Sequence, residues 1–84
     1  MMARLKQGYL QWRCRRGTKE LDVILNQFLS TQYSNLTDLE LTDFDLLLNS
    51  QDTELWYWLS GQHVPESKEL KMIVKRINAQ IKQR

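Results

Sequence analysis

The chain has 84 residues, a net charge of +2, three glycines, one proline, one cysteine and one histidine. That length predicts one domain spanning 1–84, and the scarcity of glycine and proline beside abundant Leu, Ile, Gln, Lys and Glu predicts helices, not a turn-rich β fold. A single cysteine, Cys14, and a single histidine, His63, exclude an internal disulfide and multi-cysteine or paired-histidine metal sites, and no run of about 18 apolar residues is present to span a membrane.

Five helical segments follow in chain order. The first is expected over about Ala3 to Arg15, with Leu5, Tyr9 and Trp12 at i, i+4 and i+7 on one face. Gly17 is expected to end it in the left-handed conformation that glycine enters most cheaply. Thr18 suits the N-cap of a second helix over Lys19 to Tyr33, striped by Leu21, Ile24, Leu25 and Phe28. Glu20 and Asp22 fall in its first turns, where the helix dipole favours negative charge.

In SNLTDLE, Thr37 and Glu40 have capping-box spacing, with Leu36 placed as a hydrophobic staple. The third helix then carries Leu41, Phe44, Leu47 and Leu48 at helical intervals, and Asn49 and Ser50 close it. A short fourth helix fits Thr53 to Ser60, with Leu55, Trp58 and Leu59 on one face and Gly61 at its end. Trp56 and Tyr57 cannot both point inward with Trp58, so they either wrap a small core or stand exposed as anchors for a partner. Pro65 sits in the next loop. The fifth helix, about Ser67 to Lys82, is lined by Leu70, Ile73, Val74, Ile77 and Ile81, with Lys71, Lys75, Arg76 and Lys82 over much of the rest. Short connections between amphipathic helices imply an all-α, small antiparallel five-helix bundle.

Charge is segregated. Residues 1–19 carry Arg4, Lys6, Arg13, Arg15, Arg16 and Lys19 and no acid. Residues 20–54 carry Glu20, Asp22, Asp38, Glu40, Asp43, Asp45, Asp52 and Glu54 and no base. The two stretches either neutralise each other within the fold or form two faces for a charged partner. The basic stretch with Tyr9 and Trp12 has the ingredients of a phosphate-and-stacking surface. The modest net charge and the acids that follow argue against nucleic acid as the partner.

No catalytic set is evident, so no enzyme is expected. His63 lies in a loop beside Gly61 and Pro65 and reads as a solvated residue. Cys14 between Arg13 and Arg15 can be either a thiol with a lowered pKa or a small helical residue that packs inward, the second being the simpler reading. No glycine-rich phosphate loop is present, so no tightly bound cofactor of its own is expected. The opening MMARLKQGYLQWRCRRG has no apolar segment of the secretory kind, and a cytoplasmic location is expected.

The segment RRGTKELD, residues 15–22, resembles the RGxxE signature, usually extended as RRGMxELD, of the SdhE (YgfY) family of FAD assembly factors. Trp12 ahead of the arginines, Leu55, Trp58 and Leu59 late in the chain, Pro65, and a terminal amphipathic helix extend the resemblance over nearly the whole length. Thr18 stands where the family usually has methionine, which removes a flexible apolar contact. The resemblance implies a chaperone that binds the flavoprotein subunit of succinate dehydrogenase, and in bacteria also that of fumarate reductase, and promotes covalent attachment of FAD to a histidine of that subunit.

On this reading Arg16, Gly17 and Glu20 centre the partner-binding face, with Trp12, Arg13, Arg15 and Lys19 around them and Trp56 and Tyr57 as further members. Gly17 allows a sharp corner and a close backbone approach. Arg16 offers its donor fork to a carboxylate or to carbonyls of the partner. Glu20 either orients Arg16 or receives a partner donor. The plain alternative is a helix corner with a surface ion pair. A second function class, a small antitoxin-like regulatory protein acting through the basic N-terminal face, stays open at this point.

Overall fold

The computed structural model describes residues 4–82. Among the described residues there are five α-helices and no strand: α1 Gln7–Arg13, α2 Lys19–Gln32, α3 Asp38–Leu47, α4 Asp52–Leu59 and α5 Lys68–Lys82. A 3-10 turn, Tyr33–Asn35, extends α2. The radius of gyration is 11.8 Å, close to the value of about 12 Å for a compact chain of this length.

Local signals place most boundaries. Thr37 and Glu40 form the expected reciprocal box: the Glu40 N–H donates to Thr37 Oγ1 at 3.1 Å, and the Thr37 N–H donates to Glu40 Oε1 at 2.9 Å. Such a cap contributes about 1 kcal/mol. Leu36, just ahead of it, is buried. Helix α4 ends as a Schellman motif around Gly61, whose φ is 85°. The Gln62 N–H reaches the Tyr57 carbonyl at 3.0 Å and the Gly61 N–H reaches that of Trp58 at 3.2 Å.

Two expectations at the first corner are corrected. Gly17 is not left-handed, since Gly61 is the glycine with positive φ among the described residues. Thr18 occupies the N-cap of α2 with extended backbone but makes no capping bond through its side chain. Asp22 acts from inside the helix, its Oδ1 accepting the Arg16 N–H at 2.6 Å.

Helix α1 is also shorter than its periodicity suggests, and it faces differently. Ala3, the expected start, lies outside the described residues. Residues 4–6 are held out of the helix by tertiary bonds. Arg4 donates to the carbonyls of Tyr33 at 2.6 Å and Leu36 at 2.8 Å and lies over the Tyr33 ring, while the Tyr33 hydroxyl donates to the Leu5 carbonyl at 2.7 Å. Leu10 and Cys14, not Tyr9 and Trp12, are the fully buried residues of this segment, and Trp12 is 70% exposed. In a two-turn helix, apolar spacing selects a face weakly; burial against α2 decides it.

The core gathers Leu10, Leu21, Leu25, Phe28, Leu29, Leu41, Phe44, Leu47, Leu55 and Ile77. The Phe28 and Phe44 rings pack with centroids 5.6 Å apart. Helix α3 makes the most extensive helix–helix contact with α5, and α4 also packs on α5. Leu70, Ile73, Val74 and Ile77 meet the core as expected; the side chain of Ile81 lies outside the described set.

Candidate partner-binding corner

The α1–α2 corner, residues 14–18, is closed from α3 and α4 by ionic contacts that draw on both halves of the segregated charge. Arg13 donates to Asp45 Oδ1 at 2.6 Å, to the Asp45 carbonyl at 3.1 Å and to Asn49 Oδ1 at 2.6 Å. Arg4 pairs with Asp38 at 3.2 Å, and Arg76 of α5 pairs with Glu40. Three of the six cations of the basic N-terminal stretch, Arg4, Arg13 and Arg16, are thus paired with the acidic stretch of the same chain. Partial burial works against the charge on Arg13, but Asp45 and Tyr9 more than offset it and raise its pKa.

Arg16 is the most enclosed of these cations, its side chain 15% exposed. Its Nη2 donates to the Leu48 carbonyl at the end of α3, and its Nη1 lies 3.6 Å from Asp52 Oδ1 at the start of α4. Its buried Nε has no hydrogen-bond partner among the described residues. The carboxylate and carbonyl that its fork meets thus belong to this chain, and Asp52, not Glu20, is the acid that orients it. Asp52 also accepts the Gly17 N–H through Oδ2 at 3.0 Å. One carboxylate therefore holds both the arginine and the glycine of the motif. Sequence reasoning missed Asp52 because it lies 35 positions from Gly17.

A Cβ built on Gly17 would come 3.3 Å from Asp52 Oδ2. The glycine serves close approach of the α4 carboxylate, with no special backbone angle required. Glu20, one residue inside α2, is exposed and enters none of the ion pairs among the described residues. It lines a groove of about 370 Å³ together with Thr18, Asp52, Thr53, Trp56 and Tyr57.

The fold thus brings Glu20, Trp56 and Tyr57 together, although they come from different helices. Trp56 and Tyr57 are 42% and 44% exposed, which answers how two adjacent aromatics fit on α4: they face outward. The Tyr57 ring meets that of His63, itself exposed, in a T-shaped arrangement with centroids 5.2 Å apart. Lys19 lies across a shallower groove with Glu20, Val23, Ile24 and Trp56. Arg15 is exposed, and Trp12 projects from α1.

Cys14 is fully buried, and its thiol is pushed up to about 12, chiefly by burial. Asp22 pushes in the same direction, while Arg16 and Arg13 pull the other way. It is a packing residue, not an activated thiol. Among the described residues no group of three His, Cys, Asp or Glu side chains could hold a metal ion, and no helix is long and apolar enough to cross a membrane.

The family model described as flavinator of succinate dehydrogenase matches residues 9–81. The chain belongs to this family. The FAD assembly factor SdhE of Coxiella burnetii is 41% identical over 68 residues, which cover 81% of this chain and 83% of the relative. SdhE of Legionella pneumophila strain Lens is 38% identical over 68 residues, 81% of this chain and 86% of the relative. SdhE of Colwellia psychrerythraea is 36% identical over 81 residues, 96% of this chain and 89% of the relative. The match to the family covers every residue of the corner and its groove, and all five helices except the ends of α1 and α5.

Proposed function

We propose that this chain is a cytoplasmic, non-catalytic assembly factor that binds the flavoprotein subunit of succinate dehydrogenase and promotes its covalent flavinylation. The flavoprotein subunit of fumarate reductase is proposed as a second client. FAD is the client's cofactor, and the bond-forming chemistry resides in the flavin and its host. The assembly factor, a single-domain antiparallel helical bundle, acts by holding the immature client so that flavin and acceptor side chain are aligned, a positioning effect.

One observation carries this reading. The residues of the family motif converge on a braced corner, Arg16 and Gly17 both held by Asp52, and Glu20 stands free beside exposed Trp56 and Tyr57. A rigid corner flanked by exposed aromatics and an unpaired carboxylate has the composition of a protein-docking surface. Trp12, Arg13, Arg15 and Lys19 are proposed to surround it. The antitoxin-like reading through a basic face is disfavoured, because Arg4, Arg13 and Arg16 already have acidic partners within the chain.

The test is covalent flavin on the client subunit, read by in-gel flavin fluorescence, in cells with the gene, without it, and with Gly17→Arg at matched protein level. Signal should fall in both the deletion and the variant. Unchanged flavinylation on deletion would remove the proposed client.

A further inference from the structure

Resting on the proposed docking role, we infer that the groove between α2 and α4 receives an arginine side chain of the client. Its lining contains two carboxylates, two threonines and two aromatic rings, and no cation. Asp52 is already engaged by Arg16 and the Gly17 N–H, so the carboxylate of the groove with no partner among the described residues is that of Glu20. Apart from the buried Arg16 Nε, the corner's cationic and backbone donors are engaged as well: the Gly17 N–H with Asp52, the Arg16 N–H with Asp22, and the end of the Arg16 fork with Leu48 and Asp52.

The groove's charged groups are therefore carboxylates, set beside aromatic surface. Trp56 and Tyr57 keep about four-tenths of their surface open without a ligand. Guanidinium fits that pairing better than ammonium does. It is planar, weakly hydrated, forks onto a carboxylate and stacks on aromatic faces. A ledge beyond Trp56, lined by Val23 and Ile24 with Lys19 at its side, continues from the same groove and can carry an apolar neighbouring residue of the client. A partner helix presenting a carboxylate would meet Glu20 and Asp52 with like charge and be rejected.

The test uses the full chain and two small probes, N-acetyl-arginine methylamide and its uncharged isostere N-acetyl-citrulline methylamide, titrated by NMR. The indole N–H resonance of Trp56, assigned with Trp56→Phe, should move with the arginine probe, and that of Trp12 should stay in place. The citrulline probe should bind about fivefold more weakly, and Glu20→Gln should reduce arginine binding by a similar factor. Glu20→Gln should also weaken capture of the flavoprotein subunit.

Equal binding of the two probes, or an arginine response at Trp12 and not at Trp56, overturns the inference. Such a result leaves the flavinylation test untouched. Conversely, selective arginine binding at Trp56 with normal flavinylation in the deletion keeps the groove and removes the client.

Discussion

Asp52→Ala tests whether one carboxylate braces the corner. The substitution removes a bond to the Gly17 N–H at 3.0 Å and a contact of 3.6 Å to Arg16. It also removes an acid from the first residue of α4. The backbone bond lies at an exposed rim and is worth about 1 kcal/mol. The helix-dipole contribution is about 0.5 kcal/mol. The ion pair adds about 0.5 kcal/mol, kept small because the Asp52 side chain is 35% exposed. The expected loss is about 2 kcal/mol, a fall in Tm of about 8–16 °C for a chain of this size. Circular dichroism melts measure it. Asp52→Asn keeps an acceptor and should lose about half as much. In a double-mutant cycle with Arg16→Ala the two losses should fail to add by about 0.5 kcal/mol. An Asp52→Ala protein that melts within about 2 °C of the parent would refute the brace.

Three further outcomes are expected. Gly17→Ala should change stability by no more than about 1 kcal/mol, because the backbone there is not left-handed and the flexible Asp52 carboxylate can yield to the new Cβ; Gly17→Arg should fold yet abolish flavinylation, and comparing melts with in-gel flavin separates the two effects. Cys14 should resist iodoacetamide at pH 8 in the native protein and react fully in denaturant. Its thiol pKa is raised from 9.0 to about 12 on folding, so its contribution to stability is complete below pH 9 and declines as pH rises towards 12. The Tm gap between the parent and Cys14→Ala should accordingly narrow between pH 7 and pH 10.5. Asp43 has its carboxyl raised above 3.8 by burial and by the neighbouring Glu69 and Glu40. Its ionisation therefore costs stability as pH rises through that range, so Asp43→Asn should melt higher than the parent at pH 7 and lose that advantage at pH 3.

Features governed by neighbours a few residues apart were legible in the sequence. The Thr37–Glu40 box, the stop at Gly61, and the core stripes of α2, α3 and α5 depend on bonds and periodicities that span one or two helical turns. The motif Arg16–Gly17–Glu20 was also legible, as a family resemblance, and so was the chance that the basic and acidic stretches neutralise each other.

Only the tertiary structure decided which groups meet. Asp52 reaches Gly17 across 35 positions, Arg16 reaches Leu48 across 32, and Arg13 reaches Asn49 across 36. No local rule selects one acid from the eight in residues 20–54, because the choice depends on how α3 and α4 stack beside the corner. The same packing turned α1 so that Leu10 and Cys14 lie inside and Trp12 outside, although periodicity favoured Trp12. It also set Glu20 of α2 beside Trp56 and Tyr57 of α4, making one groove from segments that are far apart in the chain. Sequence determines helices α2 to α5 because their signals are short-ranged; the start and face of α1, and the working surface, are decided by contacts between helices, whose partners are set by three-dimensional packing.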